Sequence, residues 1–145
     1  MSVMKLVLAA AGAYGATAVL CLLPLWFMRP VGAGWERLPV IAIACSAAVG
    51  ALLWWLGVVR PGSTSSWRGA LIGLAVAVAA HALSWYVLSV MAWLIDRHDS
   101  LGESLPGPLG ALRGTFAFAA VSLALMPWSL LASALVGVFM IRQQR

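Results

Sequence analysis

One imidazole stands out among the groups that could do chemistry. His81 occupies the stretch "AVAVAAHALSWYVLS", inside a run from Gly69 to Ile95 that holds no Asp, Glu, Lys or Arg. Three other polar side chains sit at matching distances from the basic residues that bound their runs. His81 is 13 residues from Arg68, Ser129 is 13 from Arg142, Thr17 is 12 from Lys5 and Ser46 is 14 from Arg60. At the helical rise, these spacings place all four about 18–21 Å from the flanking charges, in one layer near the middle of a bilayer. Pro127 would add to that layer by leaving the carbonyl of Leu123 without its helical donor. An imidazole at such depth needs a hydrogen-bond partner. The expected partners are Ser129, Thr17 or the Leu123 carbonyl, with His81 a neutral group on the inward side of its helix.

Other chemistries are less well equipped. A bis-histidine haem needs two axial ligands at membrane depth, and His81 is the one histidine there. Ser129 with His81 is a conceivable nucleophile–base pair, but nothing in the sequence marks an oxyanion hole. Cys21 and Cys45 are too far apart for a C-x-x-C redox motif and are expected to be buried, unpaired and dispensable. The segment "DRHDSLGE" gathers Asp96, His98, Asp99 and Glu103, whose oxygen and imidazole groups are weak candidates for holding a divalent cation. The plainer expectation for them is a solvated loop, with no metal and no cofactor. No Asp, Glu, Lys or Arg lies within any apolar run, so the carboxylate that proton-coupled exporters use is missing from the spans.

The elements that must position these groups are membrane helices. The 145-residue chain is 63% hydrophobic and 9% charged, with a mean hydropathy of +1.00. A soluble domain carries roughly 25% charged residues. A spanning helix needs about 20 apolar residues, and four runs qualify: 6–28, 39–59, 69–95 and 114–141. The expected fold is all-α, a single four-span transmembrane domain forming an antiparallel four-helix bundle. Pro24 and Pro127 are expected as kinks within the first and fourth spans. Lys5 followed by an apolar stretch and Ala16-Thr17-Ala18 has the outline of a cleavable leader. The apolar run continues past that point to Met28, so an anchor is expected instead. The segment "LPGPLGALRG" reads as irregular surface chain.

Small residues recur every fourth position: Gly69, Gly73 and Ala77; Ser129, Ser133 and Gly137; Ser46 and Gly50; and, on the first run, Gly12 with Ala16 or Ala11 with Gly15. Such ridges let helix backbones approach closely where lipid supplies no hydrophobic drive.

The net charge of +5 does not imply nucleic-acid binding, because the basic residues are scattered at run ends. Lys5, Arg60, Arg68, Arg142 and Arg145 fall on one side. Arg29, Arg37, Arg97 and Arg113 fall on the other, with all four acids. The wholly basic side is expected to face the cytoplasm with both termini. The excess of Arg over Lys points to a bacterial inner membrane. Trp26, Trp35 and Trp93 are expected at the outer interface, and Trp54, Trp55 and Trp67 at the inner one. Two functions fit: a contact-acting accessory subunit, stabiliser or inhibitor of a membrane-protein partner, or a small oligomeric channel or transporter with a path through the polar layer.

Overall fold

A computed structural model describes residues 2–28, 36–98 and 102–144, with 25–28 as backbone. The architecture is all-α. Helix α1 spans Val3–Met28, α2 spans Leu38–Trp54 and continues through one π-helical turn, Trp55–Val59, and α3 spans Ser66–Ile95. Helices α4 (Pro108–Leu125) and α5 (Trp128–Gln143) complete the chain. Among the described residues, four helices are long and apolar enough to cross a membrane: α1, α2 with its π turn, α3 and α4. With its apolar surface turned outward, the chain is a small multi-pass membrane protein.

The fourth run departs from expectation at both ends and in its middle. It begins at Pro108 rather than near residue 114, so much of the segment read as irregular is helix. A proline is welcome in a first helical turn, where its missing N–H costs nothing. Arg113 consequently lies inside α4, exposed. In the middle, Pro127 separates two helices where a kink was expected. Met126 leaves the helical region at φ −127°, ψ 55°, and α5 restarts with short-range bonds from Ser129 N to Met126 O and Leu130 N to Pro127 O. Pro24, by contrast, lies within uninterrupted α1. The two prolines differ in their C-terminal neighbours. Trp128, directly after Pro127, is the first residue of α5, and its indole donates to Cys21 O of α1 at 3.2 Å. That bond holds the new helix start in place.

Helix α3 is the centre of the bundle. It packs against α2, α4 and α5, and α1 closes the ring by packing on α2 and α5. The closest seam joins α3 to α5, where the expected ridges meet. A Cβ on Gly69 would overlap the Gly137 backbone, and one on Gly73 would overlap Ser133 O. On α1 the working ridge is Ala11–Gly15, with Gly15 against Ala47 and Ile43 of α2, whereas Gly12 has open space around it. Gly50 of α2 receives the Tyr14 ring.

Trp54 corrects another expectation. It is not an interface anchor but a core residue, 0% exposed, beside Tyr14 at 6.4 Å between ring centroids. Trp54 stands one turn after Gly50, on the face of α2 that meets the Tyr14 ring. Just beyond it the helix loosens into the π turn, where Arg60 N bonds Trp55 O, five residues back. Trp54 and Val58 point inward and Trp55 and Leu56 outward. The Tyr14 hydroxyl and Trp54 Nε1 are both buried without a hydrogen-bond partner among the described residues. Trp67 is well exposed, and Trp93 lies beneath the Arg97 guanidinium at 5.0 Å. The Trp26 side chain, Trp35, Arg29 and Asp99 lie outside the described residues.

The seam makes a direct prediction. Gly73→Val, which must push a branched side chain into backbone, should destabilise the bundle by about 1–3 kcal/mol in reversible unfolding from mixed micelles. Gly12→Ala should be neutral or stabilising by up to about 1 kcal/mol in the same measurement, since it gains helix propensity in open space.

Candidate functional site

His81 lies on the α3 ridge that begins with Gly69 and Gly73, one turn beyond Ala77. That ridge is pressed on α5, so the imidazole projects at the level where α4 ends and α5 begins. Its ring is held from both sides of the break. Nδ1 lies 2.8 Å from Ser122 Oγ of α4, and Nε2 lies 3.1 Å from Ser129 Oγ of α5. Ser129 is a partner expected from the sequence. Thr17 is not among the ring's partners, because its hydroxyl donates to Ala13 O of its own helix at 2.8 Å. Ser122 is a partner that sequence reasoning misses. Its signal is the seven-residue spacing Thr115, Ser122, Ser129, which keeps one helix face. The four-residue ridge of small residues masks that stripe.

The two serines also meet backbone carbonyls. Ser122 Oγ is 3.0 Å from Ala119 O and Ser129 Oγ is 2.8 Å from Met126 O. A neutral imidazole has one N–H and one lone pair. One serine must therefore donate to the ring while the other accepts from it, and the accepting serine passes its own proton to its carbonyl. The result is a directional chain. In one tautomer it runs from Ser122 through His81 to Ser129 and Met126 O. In the other it runs from Ser129 through His81 to Ser122 and Ala119 O.

This cluster forms one wall of a cavity of about 320 Å³. The cavity extends from Tyr14 and Ser133 toward Leu38, near the end of the bundle that carries Arg37 and Asp96. Thr17, Ser46, His81 and Ser129, the four members of the expected polar layer, all line it. The rest of the wall is mainly apolar, including Val76, Trp85, Phe118 and Leu125. His81 is half-buried rather than fully buried, because its ring borders this space. Helices α1 and α4 line opposite sides, but α4 packs on α3 and shares no packed seam with α1. The break produces this arrangement: α5 is clamped to α3 and α1, while among the described residues the packed seam of α4 is with α3.

The arrangement can hold a hydrogen-bonding group in an apolar setting. Ser129 and His81 are within reach for a nucleophile–base pair, yet the N–H groups of Ser129 and Leu130 at the start of α5 are spent on Met126 O and Pro127 O. They cannot serve as oxyanion donors.

The remaining candidates lie elsewhere. Pro24 is exposed on α1. Cys21 and Cys45 are free thiols, both buried. Asp96 pairs with Arg37 at 3.3 Å on the surface. His98 forms an isolated backbone bridge with Ser104, and Glu103 is exposed. Among the described residues, no three His, Cys, Asp or Glu side chains gather as a metal site would require.

Comparison with protein-family models, curated proteins and solved structures returns no match.

Substitution at His81 separates its charge from its contacts. His81→Leu removes the ring, while both serines keep a carbonyl partner, so unfolding free energy should change by no more than about 1–2 kcal/mol. His81→Lys should cost at least about 2.5 kcal/mol, because an ammonium would sit deep among apolar groups. Reversible unfolding from mixed micelles compares the two.

Proposed function

We propose that the protein resides in a bacterial cytoplasmic membrane, with both termini in the cytoplasm, and works by contact inside the bilayer. In this reading it is an accessory subunit, stabiliser or inhibitor of a larger membrane protein. The observation that carries the reading is the position of α4. The other helices each pack against at least two neighbours, whereas α4 packs on α3 and turns its remaining faces outward. Leu109 is 84% exposed and Phe116 is 72% exposed. A helix held on one side offers its other faces to a partner helix, and packing and hydrogen bonding rather than apolar burial drive such association in lipid. The absence of Asp and Glu from the helices that can cross the membrane agrees with a role that needs no proton path.

A second reading has its own support. Thr17, Ser46, His81 and Ser129 line one cavity, as expected for a small channel or transporter whose path crosses a polar layer. In that case a homo-oligomer replaces the foreign partner.

A photo-crosslinking amino acid at Phe116, in native membranes, should give a discrete heavier product containing a second membrane protein, while the same group at Val40 of α2 should not. Crosslinks from Phe116 to lipid alone would count against the contact reading, and a product containing two copies of this chain would favour the second. For topology, Ser65→Cys in a background lacking Cys21 and Cys45 should resist an impermeant thiol reagent applied to intact cells. Labelling from outside would reverse the orientation.

A further inference from the structure

We infer that the cavity beside His81 is a binding site for a neutral amphiphile from the bilayer that carries a hydroxyl, or another uncharged hydrogen-bond donor, on an apolar body. The inference goes beyond the contact reading and does not depend on it.

The head-group chemistry comes from counting protons. The Ser122–His81–Ser129 cluster holds three hydrogen-bonding protons when the ring is neutral: two hydroxyl protons and one ring N–H. In one tautomer they go from Ser122 to Nδ1, from Nε2 to Ser129, and from Ser129 to Met126 O. In the other they go from Ser129 to Nε2, from Nδ1 to Ser122, and from Ser122 to Ala119 O. Either way all three are used inside the cluster. The groups left for an occupant are lone pairs on the serine oxygens.

The neighbourhood adds to this imbalance. Pro127 has no N–H to offer the Leu123 carbonyl, and Ser129 N bonds Met126 O rather than reaching back to Leu125. Thr17 and Ser84, also on the cavity wall, donate to Ala13 O and Ala80 O. The buried Tyr14 hydroxyl does not supply the missing donor to the cluster. It lies against Gly137, eight residues from Ser129 and so about 12 Å away along α5. The Ser46 and Ser133 hydroxyls also border the cavity, but the cluster at His81 itself has its protons spent and its lone pairs open, so an occupant completes it by donating.

The walls define the body and the route. Among the described residues no charged side chain lines the cavity, so an ammonium head beside His81 would be desolvated without a counter-charge, which disfavours cationic donors. The volume of about 320 Å³ is within the usual range for small-molecule sites. The unsealed side between α1 and α4, where lining residues Val121 and Leu125 are themselves exposed, faces the lipid. An alkyl or isoprenoid alcohol meets these requirements, whereas a bulk lipid tail would fill the space but leave the acceptors unmatched.

The test uses the full-length protein in vesicles of phosphatidylethanolamine and phosphatidylglycerol. The probe is 1-decanol bearing a diazirine on its chain, with crosslinks mapped by mass spectrometry. Labelling should concentrate on Trp85, Phe118 and Val121. Unlabelled decanol should compete, with decyl methyl ether, decanoate and decylamine each about fivefold weaker or worse, the scale of one lost hydrogen bond. Ser122→Ala with Ser129→Ala, checked for helicity and monodispersity, should remove the preference for alcohol over ether while labelling persists. Equal competition by the ether would show that the cavity takes lipid tails without selection. Preferred competition by the amine or carboxylate would overturn the neutral-donor assignment. Labelling spread over Leu109, Phe116 and Leu131 without competition would show that the cavity is no site. None of these outcomes bears on crosslinking at Phe116, so this inference and the contact reading can fail separately.

Discussion

The structure depends first on the contact between α3 and α5, where Gly69 and Gly73 lie directly against the backbone of Gly137 and Ser133. In lipid, apolar side chains gain little by leaving the solvent, so cohesion comes from close packing and hydrogen bonds. Glycine on both sides lets two backbones meet with nothing between them. That contact fixes α5 along the first half of α3, and α1 completes the enclosure from the far side through Tyr14, which nests against Gly50. The most deeply buried large side chains, Tyr14, Trp54 and Ile141, collect around this region.

The second half of α3 is organised differently, and the cause is the break at Pro127, where a missing N–H meets a Trp128 indole anchored on Cys21 O. Pro127 stops α4 from continuing into α5. The carbonyls and hydroxyls around the break must then find partners in a setting without water. His81 answers part of that need by bridging Ser122 and Ser129 across the discontinuity. The ring therefore serves as a clamp between two helices that the backbone no longer joins. The clamp leaves α4 dependent on α3 for its packing, with Trp85 stacked on Phe118 at 5.2 Å beyond it. An open side next to α1 is the consequence, and the cavity occupies it. The same break thus accounts for the polar cluster, the apolar space beside it and the outward faces of α4.

Much of this was legible in the residues themselves. Helix type and number of apolar runs come from uninterrupted stretches longer than a bilayer requires, since a spanning backbone must satisfy its own hydrogen bonds. The Gly69–Gly73 and Ser133–Gly137 ridges were legible because small residues at four-residue spacing have few reasons to recur except close approach. Matching distances from the flanking charges group Thr17, Ser46, His81 and Ser129 in the sequence, and all four border one cavity. These features are local or depend on counting along a single helix.

Tertiary structure decided the rest. Whether Pro127 kinks or breaks a helix depends on what neighbours offer the freed groups, and the Trp128 indole reaching Cys21 O is a contact across 107 positions of sequence. Trp54 reads as an interface residue by its position near a charged end. Its burial comes from its place one turn after Gly50 on α2, where the Tyr14 ring waits. Ser122 gained its importance only when the break aimed it at the opposite nitrogen of His81. Composition required helices in lipid and spacing aligned their small and polar faces. Which serine meets the imidazole, and what space remains beside it, depended on how three separate helices share one discontinuity.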